Sequence, residues 1–263
     1  MFTLPFSYQD VQLFLLIAAR VSSFLMLFPV LGSPEIPNRI RILLALAFTL
    51  VLFQLRRAGW VGVSQDLGVL AYFAGLEVVK GLLLGLLGRF IMSAINLATQ
   101  LFGQNMGLAM ANMFDPVSQQ QVSVVQRLYV LFYVVIFLQL DIHHDVLRIL
   151  AVSFDTMPIG PMSLSEETFN FVVAQGTKMF VVALKISAPI LVTVTLSNLV
   201  LGIIVRTAPQ MNIYFAVGMF GNIVLGMLIL LFSLPFYLQL FRDLAWDINR
   251  SVEHLVRLLG GVA

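Results

Sequence analysis

The sequence contains no cysteine and few charged residues, and each shortage excludes a class of function. Without cysteine, the chain can form no disulfide, no thiolate nucleophile and no cysteine-ligated metal site. Charged residues make up 11% of the 263 positions, whereas soluble domains contain about 25%. The net charge is only +2 and the basic residues are scattered, so no basic patch is available to bind nucleic acid. These shortages together point away from a soluble, disulfide-linked or nucleic-acid-binding protein.

Apolar residues dominate the sequence and come in long blocks. They form 60% of the chain, with a mean hydropathy of +0.97, and soluble domains contain about 45–50%. Because the blocks lack the two-residue alternation of a membrane barrel, we predict an all-α membrane protein of long hydrophobic helices and helical hairpins. No basic residue precedes Arg20, so the first block is expected to be a retained helix and not a cleaved signal peptide. The blocks lie near residues 11–31, 40–55, 67–91, 122–140, 170–205 and 213–240.

Proline and capping residues mark the ends of several predicted helices. Pro189 divides the long block 170–205, which fits either a kinked span or a tight helical hairpin. Ser163 and Glu166 have the spacing of a capping box, which predicts that a helix begins there. Residues 241–263 predict an amphipathic helix on a membrane or partner surface. Its apolar side is formed by Leu244, Ile248, Leu255 and Leu259.

Five charged residues lie inside the apolar blocks. At the centre of a membrane helix each would cost roughly 2.5–3.5 kcal/mol. Glu77 and Lys80 are three residues apart and can pair on one helix face. For Arg20 and Lys178, a side chain that reaches the membrane surface fits the sequence as well as a side chain that faces protein or water. Lys185 lies deeper in its block, so these helices are predicted to face protein or water in an assembly.

Small residues and methionines add to this prediction. Gly81 and Gly85 form a small-xxx-small step, which is typical of closely packed membrane helices. The segment 103–116, GQNMGLAMANMFDP, combines three methionines at helical spacing with three side-chain amides. Because methionine is flexible and polarizable, this segment could line or plug a pore and yield when something passes. At its end Asp115 and Pro116 are the expected N-cap and first residue of the next helix.

Sequence motifs of catalysis and metal binding are absent. The cluster DIHHD at 141–145 contains adjacent histidines, which point about 100° apart on a helix and are poor joint metal ligands. We therefore expect a solvated loop there and no metal site. No phosphate-binding loop, nucleophile elbow or zinc-protease motif is present. The sequence predicts no catalytic residue, no cofactor and no enzyme.

Five segments together carry a resemblance that runs almost from end to end. The chain resembles the FliR family of type III export gates, which serves flagella and injectisomes. The resemblance implies a P-like portion over about 1–165 and a Q-like hairpin over about 166–240, followed by the amphipathic helix 241–263. It also implies a helical, pore-forming core. The matching segments are LEVVKGLLLG (76–85), LFGQNMGLAMANMFDP (101–116), SFDTMPIG (153–160), LKISAPILV (184–192) and LGIIVRTAPQMN (201–212).

The resemblance also implies three groups of site residues. A pore plug would comprise Gln104, Asn105, Met106, Gly107, Met110, Asn112, Met113, Phe114, Asp115 and Pro116. Buried charges and subunit packing would involve Glu77, Lys80, Gly81, Gly85, Lys185 and Pro189. A tip at the cytoplasmic entrance of the gate would comprise Arg206, Pro209, Gln210 and Asn212.

The function implied by the resemblance is a core subunit of the type III protein export gate. Its expected partners are FliP-type, FliQ-type and FlhB-type subunits in a hetero-oligomer, and its expected cargo is unfolded flagellar protein. The expected location is the bacterial inner membrane, within the flagellar basal body. The alternative is a secondary transporter of small solutes, whose intramembrane charges would form a substrate site. Such a transporter should show inverted repeats, and none is evident in the sequence.

Overall fold

The structure is a computed structural model, and its described residues are almost entirely helical. The part of the chain that it describes comprises residues 7–29, 32, 36–60, 62–63, 66–106, 124–162, 165–207 and 218–260. Within these ranges there is no strand, which confirms the predicted all-α class. The helices are α1 (Tyr8–Leu27), α2 (Asn38–Arg56), α3 (Leu67–Asn105), α4 (Val124–Gln139), α5 (Ile142–Thr156), α6 (Glu166–Thr207), α7 (Met219–Phe232) and α8 (Leu234–Gly260), with a short 3-10 turn at Arg57–Gly59.

Several of these helices have the length and composition of membrane spans. In the described ranges, α1, α2, α3 and α6 each qualify, and the number rises to six if each of the pairs α4–α5 and α7–α8 is taken as one bent span. α3 and α6 contain 39 and 42 residues, about twice what a bilayer requires. The chain is therefore a membrane protein in which two helices are longer than a single crossing requires.

The chain divides into two compact units. The first unit comprises residues 1–90, 141–175 and 246–263, and the second comprises residues 91–140 and 176–245. α3, α6 and α8 each contribute one part to each unit. The units are therefore interleaved along the sequence, and the division into P-like and Q-like portions remains a prediction.

In the first unit, α1 packs closely against α3. A capping box starts α1, because the Ser7 backbone N–H donates to Asp10 and the Asp10 backbone N–H donates to the Ser7 hydroxyl. A side chain at Gly81 would overlap the backbone of Arg20, and a Cβ at Gly85 would lie 2.8 Å from the Phe24 carbonyl oxygen. The two glycines thus serve the packing of α3 on α1 within the chain, and a role between subunits remains a prediction.

In the second unit, aromatic rings and amides join the helices. The Tyr237 hydroxyl donates to the Ile186 carbonyl at 3.0 Å, which ties α8 to α6. The Asn222 amide donates to the Asn198 side-chain oxygen at 2.7 Å, which ties α7 to α6. These contacts make α6 and the helices after it neighbours, as the predicted hairpin requires. The rings of the aromatic cluster belong to Phe102, Tyr129, Tyr133, Tyr237 and Phe241.

The structure corrects two local predictions and confirms a third, that a helix begins near Glu166, with a different cap residue. α6 runs without interruption through Pro189, so a hairpin turn at this proline is wrong. α6 begins at Glu166 after Ser165, whose hydroxyl accepts from the Thr168 backbone N–H at 3.1 Å. The cap is therefore Ser165, and Ser163 lies outside the described residues. The expected DIHHD loop is also wrong, because α5 begins at Ile142 within it.

The apolar side of the C-terminal helix also differs from expectation. The sequence predicts that this side lies on a membrane or on a partner. In the structure its four leucine and isoleucine side chains are at most 3% exposed. Periodicity correctly indicates a covered face, but the chain itself covers it. The four residues are Leu244, Ile248, Leu255 and Leu259.

Candidate functional site

Three charged side chains meet in the interior of the first unit. Arg20 lies in the middle of α1, and Glu77 and Lys80 lie one turn apart on α3. All three side chains are 0% exposed. The Arg20 Nε and Glu77 Oε2 atoms are 2.5 Å apart, and the Lys80 Nζ and Glu77 Oε1 atoms are 2.8 Å apart. One carboxylate therefore pairs with two cations, which confirms that Glu77 and Lys80 pair on one face.

The remaining donors of the two cations bind backbone carbonyls at the end of α5. Arg20 donates to the carbonyls of Ser153 at 3.1 Å and Met157 at 2.9 Å. Lys80 donates to two further carbonyls, each at 2.9 Å. Ser153 lies in the last turn of α5, which ends at Thr156, and the other three carbonyls follow the helix. Each carbonyl oxygen carries two lone pairs and can accept a hydrogen bond from a cation. The carbonyls that Lys80 reaches belong to Pro158 and Gly160.

The excess positive charge of this group is thus balanced by dipoles. Two cations and one anion leave a formal +1 inside the protein, and an uncompensated buried charge is strongly unfavourable. Four carbonyl oxygens and the Ser153 hydroxyl, which lies 3.2 Å from Arg20 Nη1, supply the missing negative potential. The Phe154 ring adds a cation–π contact, with its centroid 4.0 Å from the Arg20 guanidinium carbon. We call Arg20, Glu77, Lys80 and these carbonyls the charge network.

Two ion pairs nearer the surface extend the same connections. Arg56 at the end of α2 pairs with Asp155 in the last turn of α5. Arg57 pairs with Asp10 of α1, with Nη2 and Oδ2 2.9 Å apart. Together with the charge network, these pairs hold α1, α2, α3 and the end of α5. The three charges are fully buried, and the two cations bind carbonyls of the segment that follows α5, so the arrangement fixes the position of that segment.

Sequence reasoning missed half of this network. It placed Arg20 in an apolar block without a partner, and it gave no role to SFDTMPIG (153–160) beyond the resemblance. One sequence signal could have connected Arg20 with this segment. Small residues and prolines directly after a predicted helix expose backbone carbonyls, and these can bind cations that have no acidic residue nearby in sequence. Lys185, which was grouped with Glu77 and Lys80, is exposed on α6 in the second unit and is not part of the network.

The first residues of the predicted plug lie at the end of α3. Gln104 and Asn105 are exposed, and the Asn105 amide donates to the Leu101 carbonyl at 2.7 Å. Met106 is 0% exposed and packs against Gly226 of α7, where a Cβ would lie 2.5 Å from the Met106 methyl carbon. The other predicted plug residues lie outside the described residues. They are Gly107, Met110, Asn112, Met113, Phe114, Asp115 and Pro116.

The predicted entrance tip follows the last turn of α6. Arg206 is exposed in that turn, where the helix dipole favours a cation. Pro209, Gln210 and Asn212 lie outside the described residues. The structure therefore describes Arg206 of the predicted tip, together with α6, which carries it.

Comparisons with known proteins cover nearly the whole chain. The family model described as bacterial export proteins, family 1, matches residues 11–247. The chain is similar to the flagellar biosynthetic protein FliR of Aquifex aeolicus, with 34% identity over 90% of this chain and 91% of the relative. It is 26% identical to the FliR of Bacillus subtilis over 94% of this chain and 95% of the relative. The FliR of Escherichia coli is also 26% identical, over 82% of each chain.

Proposed function

We propose, since the chain belongs to the family of bacterial export proteins, family 1, that it is a core membrane subunit of the flagellar type III export gate. The observation that carries this conclusion is the near full-length similarity to flagellar FliR proteins. In the proposed gate, this chain joins FliP-type, FliQ-type and FlhB-type subunits in the inner membrane and lines a channel for unfolded flagellar proteins. The alternative of a small-solute transporter finds no support in these comparisons.

Exposed apolar surface supports assembly with other subunits. α6 has the highest hydropathy of the four single-helix spans in the described ranges, yet only 17% of its most apolar window is buried. Large hydrophobic side chains are exposed along its length. In the proposed gate, helices of partner subunits cover this surface. Four of the exposed residues are Phe180, Val192, Leu199 and Ile203.

The charge network supports a mechanical role for this chain. Its three charges are fully buried and are satisfied within the chain, so they are not available to bind a solute. They fix the end of α5 against α1 and α3, which makes this part of the subunit a rigid wall. We propose that the chain has no chemistry of its own and acts by shaping the channel.

Co-expression tests the proposed function directly. The chain, expressed together with the export genes that neighbour its own, should co-purify in a complex whose mass gives the number of each subunit. Expressed singly, it should aggregate or be degraded, because its apolar faces have no partner. A stable, monodisperse monomer that gains no partner on co-expression would contradict the proposal.

The proposed plug predicts a leak when its methionines are shortened. Replacing Met110 and Met113 with alanine should preserve assembly but allow ions or small solutes through the closed gate, because flexible side chains no longer fill the constriction. Met106 is left unchanged, because it is buried against Gly226 and its loss would leave a cavity. Membrane conductance of cells with the assembled variant measures this leak. The matched control is Met26→Ala, since Met26 is 64% exposed on α1. Equal conductance in the double variant and the control would refute the plug.

The proposed entrance tip predicts a loss of export without a loss of assembly. Replacing Gln210 and Asn212 with alanine should lower secreted hook protein or flagellin several-fold per assembled gate, because polar contacts around the entrance are lost. The control replaces Gln139 and Gln239, two exposed glutamines at other places, with alanine. If the tip is a plain solvated turn, both double variants will secrete normally.

A further inference from the structure

The start of α5 gathers two imidazoles and a carboxylate. Asp141, His143 and His144 each offer a ligand atom, and these atoms all lie within 4.8 Å of one another. Asp141 and His144 are exposed and His143 is half-buried. In the ranges that the structure describes, this is the one group of three such residues. All three belong to the first unit.

The backbone explains why adjacent histidines can act together here. Asp141 has a left-handed backbone with φ of 55° and stands directly before α5. His143 and His144 occupy the first turn, and their ring centroids are 4.0 Å apart. The expectation that neighbouring rings diverge by about 100° therefore fails, since both rings lean to one side.

Two of the three ligand atoms already have the spacing that a metal ion requires. The His144 Nδ1 and Asp141 Oδ1 atoms are 3.3 Å apart. Zinc binds nitrogen and oxygen at about 2.0–2.2 Å in tetrahedral geometry, so two of its ligand atoms lie roughly 3.3–3.5 Å apart. The ligand atom of His143 lies within 4.8 Å of the other two, so it has to move closer when the ion binds.

We propose that Asp141, His143 and His144 bind a divalent first-row transition ion, with Zn²⁺ as the representative. Two imidazoles and one carboxylate suit Zn²⁺, Co²⁺ or Ni²⁺, whereas Ca²⁺ and Mg²⁺ prefer sites made only of oxygen ligands. Three protein ligands leave one position open for water or for a side chain of a partner subunit.

The charges around the cluster favour this ion. A helix N-terminus carries a positive dipole end, which opposes a cation. The Asp141 carboxylate and the Asp145 carboxylate in the first turn of α5 offset that end. Asp145 is held in place by the Asn249 amide, 3.1 Å from its Oδ2 atom. The net local charge is therefore suited to a dication.

The test uses the full-length chain, solubilised with its native partners and purified by a tag that contains no histidine. Zn²⁺ binding is measured by competition with a chromophoric chelator, and Co²⁺ binding by its visible absorption spectrum. The expected result is one Zn²⁺ per copy of this chain and the intense visible bands of a tetrahedral Co²⁺ site. Binding of less than one ion per copy, or Co²⁺ bands of a hexahydrated ion, would overturn the proposal.

Substitutions locate the ion. His143→Asn, His144→Asn and Asp141→Asn should each weaken Zn²⁺ binding by about 10- to 100-fold or more, since even outer groups of metal sites have effects of this size. Asparagine tolerates the left-handed backbone of position 141, so this variant removes the charge and keeps the turn. The chain has three histidines, and the control is His254→Asn, whose ring stacks on Phe171 at 4.7 Å. Equal affinity in all four variants would mean that His144 and Asp141 share only a hydrogen bond.

Protection from chemical modification covers the case in which a variant does not accumulate. Diethylpyrocarbonate modifies accessible imidazoles, and mass spectrometry reports each site separately in the unsubstituted chain. Zn²⁺ should protect His143 and His144 at least tenfold and leave His254 unchanged. Protection of all three histidines alike, or of none, would contradict the proposed site.

Discussion

Glu77→Gln is expected to remove nearly all of the chain from the membrane and to abolish flagellar protein export. The substitution keeps the shape of the side chain but leaves Arg20 and Lys80 as two fully buried cations without an anion. Breaking a buried ion pair from one side costs about 3–5 kcal/mol, and the whole stability of a domain is about 5–15 kcal/mol. The loss therefore consumes much of the stability of the first unit.

Steady-state amounts of the chain and secreted flagellar protein measure this effect. Glu166→Gln is the matched control, because Glu166 is exposed in the first turn of α6. A second variant, Glu77→Gln with Lys80→Met, leaves one uncompensated cation and should recover part of the lost protein. Non-additivity of this kind is expected for residues in contact or within one ion-pair network, and not for distant, independent sites. Wild-type amounts of Glu77→Gln would show that the charge network does not stabilise the chain.

The local part of this network can be predicted from sequence, and its long-range part cannot. The three-residue spacing of Glu77 and Lys80 is visible in one helical turn. Arg20, by contrast, lies 57 residues from Glu77 and 133 residues from Ser153. A lysine in an apolar block looks the same at 80 and at 185, but the first is buried and the second is exposed. Only the packing of distant helices separates these cases.

The fold shows the same division between local and distant information. Apolar blocks predict that helices exist, because a span needs about 20 apolar residues. They do not reveal that α6 passes through Pro189 as one helix, since tertiary neighbours decide whether a proline kink is tolerated. The amphipathic pattern of α8 indicates a covered face without saying what covers it. At DIHHD the helix start depends on the left-handed backbone of Asp141, which composition does not specify.

The second large effect is expected at the glycines by which α3 contacts α1. Gly75, Gly81 and Gly85 are three glycines of one helix, and their surroundings differ. A Cβ at Gly75 would have no atom within 4 Å. A Cβ at Gly85 would lie 2.8 Å from the Phe24 carbonyl oxygen, and one at Gly81 would overlap Arg20 and Ser23. The same substitution can therefore be compared at an open, a tight and an overlapping position.

Alanine at the three positions should change the stability of the chain in a fixed order, from neutral or stabilising at Gly75 to strongly destabilising at Gly81. Gly75→Ala should be neutral or stabilise the chain by up to about 1 kcal/mol, because alanine is the better helix former. Gly81→Ala should destabilise it by several kcal/mol: overpacking alone costs about 1–3 kcal/mol, and the displaced backbone is that of Arg20, whose guanidinium must stay against Glu77. Gly85→Ala should fall between the two. Thermal aggregation temperatures of the solubilised complex, together with secreted flagellar protein, measure the order.

If Gly81→Ala is tolerated as well as Gly75→Ala, then α1 and α3 do not pack through these glycines, and the buried position of Arg20 loses its structural basis.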